Sequence, residues 1–189
     1  MKRVLFITLF IFLLFSTIGN AGPSKSATIE ITEMGQNYQL TVPVSRLVMT
    51  IPKGVLEQKE NRKDGSTESP RYFYFEGKGG SFHLVLSGWF ESEKSFPGIK
   101  KLWEEKKTNF NRSGQQDPQD VSFEKIGDWD VIIYESPMSG ATISNISAHL
   151  VQAGTWIELH LSNTSDRPKS ESRAKLVDLL KTIQVKEKE

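Results

Sequence analysis

The sequence predicts an α+β fold, a central antiparallel β-sheet with helices packed on it. Three observations carry this reading. Apolar and polar residues alternate in a series of segments between Tyr38 and Asn163, and the later segments are joined by links too short for a crossover helix. Two further stretches, after Pro97 and after Pro168, carry apolar residues at helical spacing. Strands, a helix, more strands and a last helix give an antiparallel α+β order and not alternating βαβ units.

The elements follow in order. Ile29 and Ile31 alternate within Ala27 to Thr32, so residues 22–37 form an N-terminal segment that either adds an edge strand or frays as a terminus. Tyr38, Leu40 and Val42 mark the first clear strand, which resumes through Leu47, Met49 and Ile51 after Pro43 interrupts the ladder, and Pro52-Lys53-Gly54 ends it. Glu57 to Pro70 is polar without a period and reads as a long exposed loop. Arg71 to Glu76 and Ser81 to Glu91 then form a hairpin about Gly77-Lys78-Gly79-Gly80, with Phe75 opposite Phe82, Phe73 opposite Leu84, and Tyr74 meeting His83 on the other face. After Pro97-Gly98, a helix sets Ile99, Leu102, Trp103 and Phe110 on one face, with Lys100, Lys101, Glu104, Glu105 and Lys107 toward water.

Asn111 to Asp120 reads as a linker. Val121 to Ile126 and Trp129 to Glu135 make a hairpin about Gly127-Asp128, and the one-residue phase difference between Phe123 and Ile126 suggests a bulge. The best-determined register joins Ile143–Val151 to Trp156–Asn163 across Ala153-Gly154. It sets Leu150 against Ile157, Ala148 against Leu159 and Ile146 against Leu161, and a slip of one residue would put every apolar side chain against a polar one. Pro168 opens the last helix, striped by Leu176, Val177, Leu180 and Ile183.

Residues 1–21 carry an address. Lys2 and Arg3 precede the apolar run Val4 to Phe15, which closes on Ser16-Thr17-Ile18-Gly19-Asn20-Ala21. This is the pattern of a secretory signal peptide cleaved after Ala21, the run being shorter than the ~20 apolar residues a membrane helix wants. The expected organisation is a signal peptide at 1–21, the N-terminal segment at 22–37 and a single α+β domain at 38–189, located in the periplasm or secreted. The chain of 189 residues has no cysteine, which excludes disulfide, thiol and cysteine-zinc chemistry and a lipid-modified cysteine after the signal. With 24 basic and 23 acidic residues interspersed, it shows neither a nucleic-acid footprint nor a polybasic membrane patch. No second apolar run reaches membrane length, so no stable insertion is expected after cleavage.

The strand Met49-Thr50-Ile51-Pro52-Lys53-Gly54, the run Trp129-Asp130-Val131-Ile132-Ile133-Tyr134, the stretch Asn145 to Val151, the stretch Gly154-Thr155-Trp156-Ile157-Glu158-Leu159-His160-Leu161 and the closing helix together resemble the PsbP-like family, whose superfamily includes the Mog-type Ran-binding import factor. The resemblance covers Tyr38 to the C-terminus as an order of elements. It implies an α/β/α sandwich on a central antiparallel sheet, used as an accessory or binding module and not as an enzyme. Photosystem binding does not transfer, because no residue here carries that role.

Chemistry is sparse. No Gly-x-Ser-x-Gly elbow accompanies the serines, and Ser87 in Leu86-Ser87-Gly88 falls in a strand. Gly77-Lys78-Gly79-Gly80 precedes a strand, so it lacks the helix N-terminus of a phosphate loop. The sequons at Asn111, Asn145 and Asn163 are expected as chance matches, and Trp89, Trp103, Trp129 and Trp156 as core or sheet-face residues. His149, Glu158 and His160 share one face, with His149 opposite Glu158 and His160 diagonal to it, which would allow a zinc or iron site. The plainer reading, preferred here, is a half-covered amphipathic face on which His149 and Glu158 pair. No catalytic residues and no cofactor are expected. The function expected is that of an exported non-catalytic accessory or binding module with an envelope protein or peptide as partner. The alternatives are a metal-binding protein using His149, Glu158 and His160, and a periplasmic chaperone for hydrophobic segments.

Overall fold

The computed structural model describes residues 29–42, 45–59, 72–77, 83–112, 116–138, 141–165 and 168–188. The expected signal peptide, its cleavage point at Ala21 and residues 60–70 of the expected loop lie outside them. Strands β1 (Glu30–Met34), β2 (Asn37–Thr41) and β3 (Leu47–Pro52) are followed by β4 (Leu56–Gln58), β5 (Tyr72–Gly77) and β6 (His83–Ser92). Helix α1 (Ile99–Arg112) precedes β7 (Gln119–Ile126), β8 (Trp129–Met138), β9 (Ala141–Gln152) and β10 (Thr155–Ser165), and the described chain ends with α2 (Lys169–Thr182) and β11 (Gln184–Glu187).

These strands form two sheets and not one. The smaller has four strands in the order β1-β2-β3-β11, and the larger has seven in the order β4-β5-β6-β10-β9-β8-β7. The fold is therefore mostly β-sheet, which corrects the expected α+β sandwich of helices on one central sheet. The reason is width. Seven strands at ~4.8 Å spacing present an apolar face roughly 29 Å across, whereas a helix with its side chains covers about 10 Å. Leu176, Leu179, Leu180 and Ile183 bring α2 onto β9 and β10. The remaining face is covered by Tyr38, Leu40, Met49 and Ile51 of the small sheet, which join one core with Phe73, Phe75, Leu86 and Leu161. Tyr38 makes the junction: its ring lies 4.9 Å from that of Phe75, and its hydroxyl accepts the Gln58 backbone N–H at 3.4 Å. Strand β11 leaves α2 directly and pairs Val185 with Met49, so it links the helix to the small sheet.

Registers show where local patterning suffices. The β9–β10 pairing is the expected one, with Leu150 opposite Ile157, Ala148 opposite Leu159 and Ile146 opposite Leu161. The β5–β6 pairing is not. Phe75 lies opposite Leu86 instead of Phe82, Phe73 opposite Gly88, and Tyr74 opposite Ser87. The displacement is four residues, an even number, so each side chain keeps its expected face while its partner changes. In β7 the irregularity lies between Gln119 and Ser122, where Asp120 has φ 51°, and not between Phe123 and Ile126. Those two are out of phase because both faces of β8 and its neighbours are covered. Ile126 points to the core, while Phe123 meets Trp103 of α1 edge-on at 6.4 Å. Glu57 and Gln58, read as loop, belong to β4 and pair with β5.

Candidate functional site

Helix α1 lies on the face of the large sheet away from the main core. Trp103 and Phe110 pack against the Tyr134 ring at 5.2 and 6.2 Å. Between them, Lys106 points inward at the same spacing and places its ammonium 4.9 Å from the Tyr134 ring centre. Beneath the helix, alternation on β8, β9 and β10 brings Tyr134, then Asn145, Ser147 and His149, then Trp156, Glu158 and His160 to one face. Tyr134, Asn145, Ser147, His149 and Trp156 are all buried.

The hydrogen bonds within this cluster have a defined direction. Trp156 Nε1–H donates to His149 Nδ1 at 3.3 Å. An indole N–H can only donate, so Nδ1 holds the lone pair and the neutral imidazole carries its proton on Nε2. That N–H donates to Ser147 Oγ at 3.1 Å, and the Ser147 hydroxyl donates to Glu158 Oε1 at 3.4 Å. His149 and Glu158 stand opposite each other as expected, but Ser147 bridges them where a direct pair was expected. His160 has its own partners. Asn145 Nδ2 donates to the Ile143 carbonyl at 2.9 Å, which turns its Oδ1 toward His160 Nε2 at 3.2 Å, with the Tyr134 hydroxyl 3.5 Å from the same nitrogen.

Burial sets the protonation states. It lowers His149 to about 4, with Lys106 adding to the effect and Asp130 opposing it. Burial and then Lys106 lower His160 to about 3. Glu158 is raised by burial, against the opposing pull of Lys106 and Ser147, and Lys106 is lowered by burial, against Glu158. At neutral pH both imidazoles are therefore uncharged.

This geometry restricts the chemistry. A serine nucleophile needs a histidine that accepts the hydroxyl proton, whereas His149 donates to Ser147 and Trp156 holds it in that tautomer. Metal ligation needs imidazole lone pairs. That of His149 is occupied by the indole, and that of His160 is on Nδ1, not on the Nε2 that faces Asn145 Oδ1. Among the described residues no group of three or more His, Asp or Glu side chains is placed to hold a metal ion. The expected sequon residues Asn145 and Asn163 are buried amides within β9 and β10. Trp103, Trp129 and Trp156 are buried, while Trp89 is exposed. Sequence reasoning missed Lys106, although Ile99, Trp103, Lys106 and Phe110 share one helical stripe. A lysine on an apolar stripe was the available signal.

On the opposite face of the large sheet, a groove of about 600 Å³ opens between the β3–β4 turn, the end of the β5–β6 pair and α2. Val55, Gly77, Leu84, Leu179 and Thr182 are in its wall, with Asn163 in its lining. The groove did not emerge from the sequence, since its residues come from six separate elements or turns.

No family model matches the chain, and no curated protein matches it. A solved structure from Bacteroides thetaiotaomicron VPI-5482 is similar over 75% of this chain at 13% identity, with a TM-score of 0.44. The match spans 45% of that protein's chain.

Proposed function

We propose that this protein is an exported, non-catalytic ligand-binding module of the cell envelope. The groove between α2 and the two sheets carries the reading, because its volume of about 600 Å³ falls within the ~300–1,000 Å³ of small-molecule sites and its wall is largely apolar. Export rests on the charged start, apolar run and small-residue end of residues 1–21. The outer polar cluster supports binding over catalysis, since Ser147, His149 and Glu158 are engaged with one another in the wrong direction for nucleophilic attack. Neither the metal-binding nor the chaperone alternative gains a specific observation.

The test is to recover the native protein from fractionated cells, sequence its N-terminus and measure its mass under native conditions. A product beginning at Gly22 in the soluble envelope fraction, carrying a bound molecule or captured by cross-linking with a partner, is the expected result. A product that begins at Met1 and remains in the cytoplasm overturns the export half. Protein free of any ligand or cross-linked partner in its own compartment overturns the binding half.

A further inference from the structure

Asn163 of β10 lies between Leu84 of β6 and Ser144 of β9, on the core side of the sheet and in the lining of the groove. It is 2% exposed, and its Oδ1 has no hydrogen-bond partner. Among the buried side-chain oxygens and nitrogens of the described residues it is alone in this. Buried carbonyl oxygens are almost always satisfied, so an unpaired one on a side chain that lines an apolar groove marks a place where a donor belongs.

The rim narrows the chemistry of that donor. Lys175 and Asp178 contribute opposite charges to the lining, and each is already paired along α2, Lys175 with Glu171 at 3.5 Å and Asp178 with Lys181 at 3.5 Å. Neither sign is concentrated, so the groove offers no counter-charge to an anionic or cationic ligand. Apart from the amide and Thr182, whose hydroxyl donates to the Leu179 carbonyl at 2.6 Å, its floor and walls are apolar. Gly77 keeps the wall thin, since a Cβ there would meet the Leu84 Cβ at 2.9 Å.

We infer that the groove binds a neutral, mainly apolar small molecule whose single O–H or N–H group donates to Asn163 Oδ1. This rests on the binding-module reading and names the ligand class for the same groove. An extended peptide fits less well, because it would bring a row of backbone donors and acceptors to a wall that answers one donor.

The test uses the exported protein and N-phenyl-1-naphthylamine, a neutral apolar fluorophore with one N–H. Saturable fluorescence enhancement is expected, displaced by 1-decanol roughly 2- to 12-fold more effectively than by decyl methyl ether, the range one neutral hydrogen bond supplies. Decanoate should compete poorly. Val55→Trp, at an exposed wall position, and Leu179→Phe, deeper in the groove, should each weaken the fluorophore by about 10-fold or more. Asn163→Leu should bind the ether and lose the preference for the alcohol. The wild-type comparison of alcohol with ether needs no variant, so a poorly folding Asn163→Leu leaves the test intact.

Absence of saturable binding to the folded wild-type protein overturns the inference, as does binding that both wall variants leave unchanged. Equal displacement by alcohol and ether overturns it too, and would mean that only a water satisfies Asn163. If any of these results coincides with a cross-linked envelope partner for the native protein, the ligand class fails while the binding-module reading stands.

Discussion

His149 holds its proton on Nε2 because a tryptophan donor occupies Nδ1, and burial keeps the ring neutral to about pH 4. This has a consequence for stability. In the unfolded chain the same ring titrates near 6.5, so between pH 6.5 and about 4 the unfolded state binds a proton that the native state does not. Stability contributed by the neutral ring is complete above pH 6.5 and is lost as pH falls through that window. His160, lowered to about 3, acts in the same direction and extends the loss to lower pH. Glu158 and Glu135, both raised by burial, act in the opposite direction above their unfolded values. Comparison of wild type with His149→Gln therefore isolates the histidine. Urea unfolding from pH 7 to 4.5 should show a wild-type slope steeper by about one proton, or roughly 1.4 kcal/mol per pH unit. Parallel profiles would show that His149 titrates alike in both states. At another single residue, Gly88 of β6 has no room for a side chain, since a Cβ would collide with the Glu158 carbonyl oxygen and the Phe73 ring. Gly88→Ala should cost roughly 1–3 kcal/mol by overpacking, read as a lower urea midpoint with an unchanged slope.

At the scale of elements, the β9–β10 hairpin was legible because each strand alternates cleanly and a slip of one residue would invert every side chain. Its turn is less well suited. Ala153 and Gly154 both have positive φ, 46° and 75°, and only the second is a glycine. A two-residue turn with both residues left-handed favours Asn-Gly, and alanine there carries a steric penalty. Ala153→Asn should raise stability by about 0.5–1 kcal/mol and the melting temperature by about 1–4 °C in a chain of this size, measured by calorimetry. A lower melting temperature would mean that Ala153 is held in place by contacts outside the turn. The β5–β6 register was not legible, because glycines mark where a connection can turn without setting its length. In α1 the apolar stripe was readable from Ile99, Trp103 and Phe110, but Lys106 was not placed on it. Only the polar face of β9 and β10 below the helix makes an inward lysine acceptable.

At the scale of the molecule, the two sheets and α2 share one core, and β11 joins the small sheet to the helix. Truncation after Thr182 would remove Ile183 and Val185 and leave one edge of β3 unpaired. The expected result is a lower melting temperature with loss of hydrogen-exchange protection in β2 and β3, while amides of β9 and β10 remain protected. Uniform loss across both sheets would instead show that the strands unfold as one cooperative unit.

The chain's local patterning was enough to place most strands, both helices, the β9–β10 register and the convergence of His149, Glu158 and His160 on one face. Each of these depends on periods of 2 or 3.6 residues and on near neighbours, which a linear sequence displays directly. The division into two sheets, the bridging role of Ser147, the inward Lys106 and the groove beside Asn163 were decided by tertiary structure. Sheet membership follows from how much apolar face remains uncovered once α2 has docked. The lone Asn163 oxygen acquires meaning only when β3, the β3–β4 turn, β5, β6 and α2 come together around the groove, and no local period records that arrangement.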